Sequence, residues 1–172
     1  MAHHVYVGID PGKEGALARV CPSYLGAGVP IVDTPTLQAK GGTKRTYDEA
    51  AMVLALKEIS ASSNRDNVLV VIEKVHSMPA QGVSTTFALG MGYGIWLGII
   101  AALRLPHVRV DPRTWKKLVL VDVDKDDDAA VAAAAGRAYP VASHLLRTPR
   151  GRVLDGRVDA LLLAHYGRTA GL

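Results

Sequence analysis

Sulfur and aromatic rings are scarce in this chain. One cysteine, Cys21, occurs in 172 residues. That excludes an internal disulfide and any thiolate metal cluster, and it suits a reducing compartment. Aromatic residues make up 5% of the sequence, and Phe87 is its one phenylalanine. Charge is missing over one long stretch: no Asp, Glu, Lys or Arg lies between Lys74 and Arg104. Residues 82–103 are therefore long and apolar enough to suggest a membrane span. Their glycines and hydroxyls, and the strand-like runs on either side, favour a buried helix of a protein without membrane contact. At the start, no basic segment precedes an apolar run, so a signal or transit peptide is not expected. What is present, 49% hydrophobic and 21% charged residues, predicts one globular domain over 1–172. The net charge of +4 leans toward a polyanionic partner without establishing one.

The opening run Val5-Tyr6-Val7-Gly8-Ile9-Asp10-Pro11-Gly12 is apolar and β-rich, ends in an aspartate and then turns at Pro-Gly before a second run from Gly15. It predicts a hairpin with Asp10 at the lip of its first strand, although Asp before Pro-Gly also serves simply to start a turn. Residues 30–35 give a third strand and 37–44 a loop. Thr46, with Glu49 three residues on, has capping-box spacing for a helix whose apolar face is Met52, Leu54, Leu56 and Ile59. The unbroken apolar run 68–72, ending in Glu73, predicts a strand covered on both faces. In the uncharged helix that follows, Gly90, Gly94 and Gly98 share a face fit for close packing, on the sheet or on a second copy of the helix. A strand at 107–110 comes next, then a helix opened by Pro112 that carries Trp115, Lys116 and Lys117. An Ala-rich helix behind Asp126-Asp127-Asp128 and a last helix from about Asp155 complete the chain. This succession predicts an α/β fold: a mixed five-stranded sheet of order 3-2-1-4-5 flanked by helices, with strands one and four adjacent.

That order brings Asp10 beside Glu73. Asp155 and Asp159 are four apart on the last helix and so share a face. If that face packs near the ends of strands one and four, four carboxylates meet in one small volume, which is costly unless cations neutralise them. Oxygen-only ligands suit Mg²⁺ or Mn²⁺, and a pair of such ions can clamp the attacking and leaving oxygens of a phosphodiester. The alternatives are structural: Asp155 as a helix cap, Asp159 paired with Arg157, Glu73 paired with Lys74. Asp122-x-Asp124-x-Asp126 opens like a calcium loop but has Asp127 and Ala133 where glycine and glutamate are required.

The motifs GIDPG at Asp10, VIE at Glu73 and DGRVDALLLAHYG with Asp155 and Asp159, in this order, resemble the RuvC-type Holliday-junction resolvases of the ribonuclease H-like superfamily. The resemblance covers nearly the whole chain. MPAQGVSTTFALGMGYGIWLG after Glu73 is similar to the segment that faces the junction in phage and chloroplast-type members, and DPRTWKK with the later Lys125-Asp126 adds to it. The resemblance implies a homodimer that cuts two opposed strands of a four-way DNA junction and leaves 5′-phosphate and 3′-hydroxyl ends. It implies two Mg²⁺ ions, replaceable by Mn²⁺, held by Asp10, Glu73 and Asp159. Asp155 takes the place of an acid or histidine one turn earlier on the helix, and Lys125 that of a lysine near the scissile phosphate. The implied location is the cytoplasm or nucleoid of a bacterial or phage-infected cell, or a plastid after removal of a transit peptide.

Under that reading Lys40, Lys44, Arg45, Lys116, Lys117, Arg147, Arg150 and Arg152 are candidate phosphate contacts. His76 is placed to touch DNA, and Gln81, Ser84 and Thr85 to hydrogen-bond to bases, with helix capping the competing role for Ser84 and Thr85. Phe87 is either a core residue or a wedge between bases. The competing functions are an actin-like phosphotransferase, which shares the first hairpin, a junction-binding protein that does not cut, and a nuclease for forks and flaps.

Overall fold

A computed structural model of the chain describes residues 5–21, 29–38, 41–61, 67–77 and 82–172. Strands β1 (Val5–Ile9), β2 (Ala16–Val20) and β3 (Ile31–Asp33) form an antiparallel meander. Strands β6 (Val68–Glu73) and β7 (His107–Val110) join β1 in parallel, so the sheet runs β3-β2-β1-β6-β7. This is the expected succession of strands, a ribonuclease H-like mixed five-stranded sheet. The numbering departs from 3-2-1-4-5 because a separate ribbon of β4 (Thr36–Gln38) and β5 (Arg45–Tyr47) intervenes.

The ribbon corrects the loop expected over 37–44: Leu37 and Gln38 belong to β4 and pair with Thr46 and Arg45 just beyond it. It also moves the start of helix α1 (Glu49–Ile59): Thr46 lies in β5, and Asp48 is the cap, its carboxylate accepting from the Ala51 N–H at 3.0 Å. Helix α2 (Val83–Ala102) follows β6 and leads to β7. Helices α3 (Pro112–Val119) and α4 (Asp128–Ala138) come next, and a 3₁₀ turn at Pro140–Leu145 precedes α5 (Asp155–Thr169). Asp127 caps α4 through the N–H groups of Ala129 and Ala130.

Because strand side chains alternate, the sheet builds two cores. Val5, Val7, Ile9, Val68, Val70 and Ile72 face α1 and α2, where Met52, Leu56, Trp96 and Ile100 cover them. Tyr6, Leu69 and Val71 face the other way, toward Trp115 of α3 and Leu161 and Leu162 of α5. The unbroken apolar run of β6 is thus explained by cover on both faces.

Helix α2 departs from the expected buried helix. Only Gly92, Trp96, Ile99 and Ile100 are buried along it. Val83 is 87% exposed and Phe87 70%, so Phe87 is no core residue. The glycine stripe does not pack on the sheet: a Cβ placed on Gly90, Gly94 or Gly98 would meet nothing within 4 Å. The sheet can take one face of the helix, and no other described part of the chain lies over the opposite one. Gly82 occupies the cap position without a side-chain bond, so neither Ser84 nor Thr85 caps α2.

Candidate active site

Three elements deliver three carboxylates to one place. Ile9 and Ile72 are register partners in the parallel β1–β6 pair, so Asp10 and Glu73 leave adjacent strands at the same level. By alternation Asp10 follows Tyr6 and Gly8, and Glu73 follows Leu69 and Val71, onto the face that α5 covers. Helix α5 lies so close to that face that a Cβ on Gly8 would run into the carbonyl oxygen of Ala160 and the amide of Ala164. Asp159, the residue before Ala160, is thereby brought to Asp10 and Glu73. A Cβ on Gly156 would likewise strike the Glu14 carbonyl, so glycine at both points sets the depth of the helix.

Each acid is held by a donor. The Gly12 N–H donates to Asp10 Oδ1 at 3.4 Å, and Trp115 Nε1–H donates to Glu73 Oε1 at 2.9 Å. Lys116 Nζ lies 3.6 Å from Asp159 Oδ2. The structural alternatives weighed for these acids do not occur. Arg157 pairs with Asp33, Lys74 pairs with Asp111, and the cap position of α5 belongs to Leu154.

The crowding is visible in the proton affinities. Burial, followed by the charges of Asp159 and Glu73, pushes Asp10 up from 3.8 to about 7. Asp159 is raised to about 6, mainly by burial; Lys116 opposes the rise while Glu73 and Asp155 add to it. Glu73 is raised by burial against the Trp115 hydrogen bond. Asp155, exposed at the rim, is raised by partial desolvation and by Asp128 and acts electrostatically on Asp159. Asp10, Glu73 and Asp159 are therefore the desolvated members of one electrostatic cluster, with Asp155 exposed at its edge.

Among the described residues no three His, Cys, Asp or Glu side chains close around a single point as an ion would require. By donor chemistry the pocket fits a hard divalent cation: its ligands are oxygen only, and the raised proton affinities mark negative charge that a cation would relieve. Asp10, Glu73 and Asp159 would hold such an ion, with Asp155 in reach at the rim.

Lysines complete the pocket. Lys116, read from the sequence as a phosphate contact, acts electrostatically on all four acids. Its signal was the DPRTWKK segment, where Trp115 and Lys116 stand side by side. Lys125 lines a hollow of about 60 Å³ with Lys116, Asp155 and Asp159, so it too is brought to the acids. The sequence did not reveal Trp115 as the partner of Glu73, or Asp111, which holds Lys74 and His76 at 3.3 and 3.1 Å.

The remaining residues proposed for DNA are spread over several elements. His76, Ser84, Thr85 and Phe87 are exposed where β6 ends and α2 begins. Lys117 is exposed on α3, Lys44 just before β5, and Arg150 in the turn before α5. Arg45 pairs with Glu14, and Arg152 lies near Asp155. Arg147 is spent on the carbonyls of Gly151 and Ala129 at 3.1 and 3.4 Å, a bracing role. Lys40 and Gln81 lie outside the described residues.

The strand order, the helices on both faces and acids at the ends of β1 and β6 and on α5 define a ribonuclease H-like α/β fold. Among solved structures the chain is similar to the Thermus thermophilus RuvC structure at 16% identity and a TM-score of 0.59, over 97% of this chain and 96% of that one. It is similar as well to T. thermophilus RuvC in complex with Holliday junction substrate, at 14% identity and a TM-score of 0.58, over 98% and 97%. At such identity the likeness is one of fold. No family model and no curated protein sequence matches the chain.

Proposed function

We propose that this protein is a divalent-metal-dependent endonuclease that resolves four-way DNA junctions as a homodimer, cutting paired strands to leave 5′-phosphate and 3′-hydroxyl ends. The observation that carries the reading is the electrostatic crowding of Asp10, Glu73 and Asp159, with the charge of Lys116 acting on all three. A fold shared with a resolvase, one solved example of which holds a junction, supports the choice of substrate. Two Mg²⁺ ions, or Mn²⁺ in their place, would supply an activated water and neutralise charge on the phosphodiester. The chain's own groups do the rest. Trp115 fixes the orientation of Glu73, Lys116 and Lys125 offset negative charge at the phosphate oxygens, and no covalent enzyme intermediate is needed. The open face of α2, with Gly90, Gly94, Gly98 and Met91, is where the second copy docks, which leaves Phe87, Ser84 and Thr85 beside the junction. A membrane is the weaker occupant for that face, because Ser84, Thr85 and its glycines bring little apolar area. With DNA as substrate, the proposed place of action is the nucleoid of a bacterial or phage-infected cell, or a plastid.

The test is incubation with a mobile four-way junction, a Y-fork and a linear duplex under Mg²⁺, Mn²⁺ and Ca²⁺, mapping every nick. Paired symmetric nicks in the junction with Mg²⁺ or Mn²⁺ are expected, and Asp10→Asn should lower the rate about 10³-fold or more while junction binding persists. Equal cutting of fork and junction would redefine the substrate as branched DNA in general. Binding without cutting under any metal would make the chain a junction-binding protein.

A further inference from the structure

Beside the acids lies a cleft of about 470 Å³, walled by the turn after β1, the start of β5, the segment following β3 and the first turn of α5. That volume suits a ligand the size of one nucleotide. Asp155 lines both this cleft and the hollow shared by Asp159, Lys116 and Lys125, so the cleft continues the pocket in which the phosphodiester would be cut.

Its lining sets four cations, Lys13, Arg45, Arg152 and Arg157, against three carboxylates, Glu14, Asp33 and Asp155. Lys13 and Arg45 stand on one wall and Arg152 on the other. The Lys13 ammonium donates to the Arg45 carbonyl at 2.7 Å, and Arg152 forms no ion pair among the described residues. Arg157 contributes little, since both its Nε and Nη2 are committed to Asp33 at 2.6 and 2.7 Å. Thr34 is only 4% exposed, and its hydroxyl, closed off from solvent, has no hydrogen-bond partner among the described residues. It braces the wall of the cleft from behind rather than meeting a ligand in it. The Arg45 guanidinium already grips a carboxylate, that of Glu14, whose side chain is 81% exposed. Glu14 thus marks a point at which the Arg45 guanidinium receives a carboxylate, on a side chain open to solvent.

We infer that this cleft is a second phosphate site, holding the backbone phosphate next to the scissile one on the cut DNA strand. The assignment rests on the nuclease reading above and adds Lys13 and Glu14 to its machinery. The incoming phosphate displaces Glu14 from Arg45, takes the guanidinium as a two-pronged donor and is flanked by Lys13 and Arg152. Glu14 then acts as an internal competitor for the strand, so removing its charge tightens binding.

The experiment measures junction binding in the Asp10→Asn background, with Lys13→Gln, Arg152→Gln or Glu14→Gln added, across a salt series. Lys13→Gln and Arg152→Gln should each weaken binding about five- to tenfold and lower the salt slope by about one. Glu14→Gln should strengthen binding about threefold, an effect a merely structural role would not give. Single methylphosphonates in the cut strand then locate the contact. At one phosphate beside the cut the neutral substitution should weaken binding to the Asp10→Asn protein, and it should do so far less once Lys13→Gln is present. Unchanged affinity in both cation variants, weaker binding by Glu14→Gln, or full additivity at every flanking phosphate would overturn the cleft assignment while wild-type cleavage keeps the nuclease reading intact. If the wild type neither binds nor cuts the junction, the nuclease reading itself fails.

Discussion

Helices α5 and α2 both carry glycines at positions where another backbone can approach, and they use them in opposite ways. Along α5 the close approach is filled from within the chain: Gly156 lies against the Glu14 carbonyl, Gly167 against Tyr6 and Val71, and Gly8 of β1 admits the helix backbone. Along α2, Gly90, Gly94 and Gly98 face open space. The first arrangement fixes where Asp159 stands relative to Asp10. The second leaves a flat strip that no other described part of the chain covers. A small-residue stripe therefore announces close packing without saying with what, and the difference is settled by which face the strands and loops already cover.

The largest effect that separates the two helices is expected at Gly8. Gly8→Ala places a methyl group against backbone atoms of α5 that cannot rotate away, so stability should fall by about 4 kcal/mol or more. Thermal unfolding followed by circular dichroism reads this directly. A folded variant of ordinary stability would mean that α5 lies farther from β1 than described, and the acid pocket would lose its geometry with it.

A second effect belongs to the α5 side alone. Folding raises Asp10 from 3.8 to about 7 and Asp159 to about 6. A carboxyl whose proton is held more tightly in the fold than in the unfolded chain contributes stability that is complete below about pH 4 and lost as the pH climbs through about 7. The metal-free protein in chelator should therefore melt at a lower temperature near pH 8 than near pH 5. Asp10→Asn should flatten that slope and raise the melting temperature on the alkaline side. A metal-free melting temperature independent of pH would show that the acids do not crowd one another.

On the α2 side the expected loss is of association rather than of fold. Gly94→Leu should halve the molar mass seen by light scattering at micromolar concentration, with the monomer's unfolding little changed, because the new side chain has room in one chain and none between two. An unchanged mass would remove this face from the dimer.

These contrasts also show what the sequence could and could not carry. The strands ending in Asp10 and Glu73 were legible because unbroken apolar runs ending in an acid have few other uses, and the helix from Asp155 because its acids and leucines keep helical spacing. The β4–β5 ribbon was not, since strands of three residues are too short for alternation to register. Thr46 and Asp48 both have capping chemistry, and only the pairing of β5 decides between them. The exposure of Phe87 and the central place of Lys116 among the acids depend on how whole helices dock, which residue spacing does not encode. The cleft of Lys13, Thr34 and Arg152 joins segments more than a hundred residues apart, and no local pattern announces it.

The smallest expected effect is the most discriminating between the helices. In the interior of an exposed helix, alanine in place of glycine stabilises by about 0.5–1 kcal/mol, because less backbone freedom is lost on folding. Nothing lies within 4 Å of a Cβ at Gly94, so Gly94→Ala should deliver that gain in urea unfolding at concentrations low enough to keep the protein monomeric. At high concentration the same methyl group stands between two helices that depend on close approach, and the dimer should be weakened. A variant more stable as a monomer yet less associated is the signature of a glycine kept for a partner. If Gly94→Ala instead destabilises the monomer, another part of the same chain packs over α2, and the two helices would differ only in which part of the chain covers them.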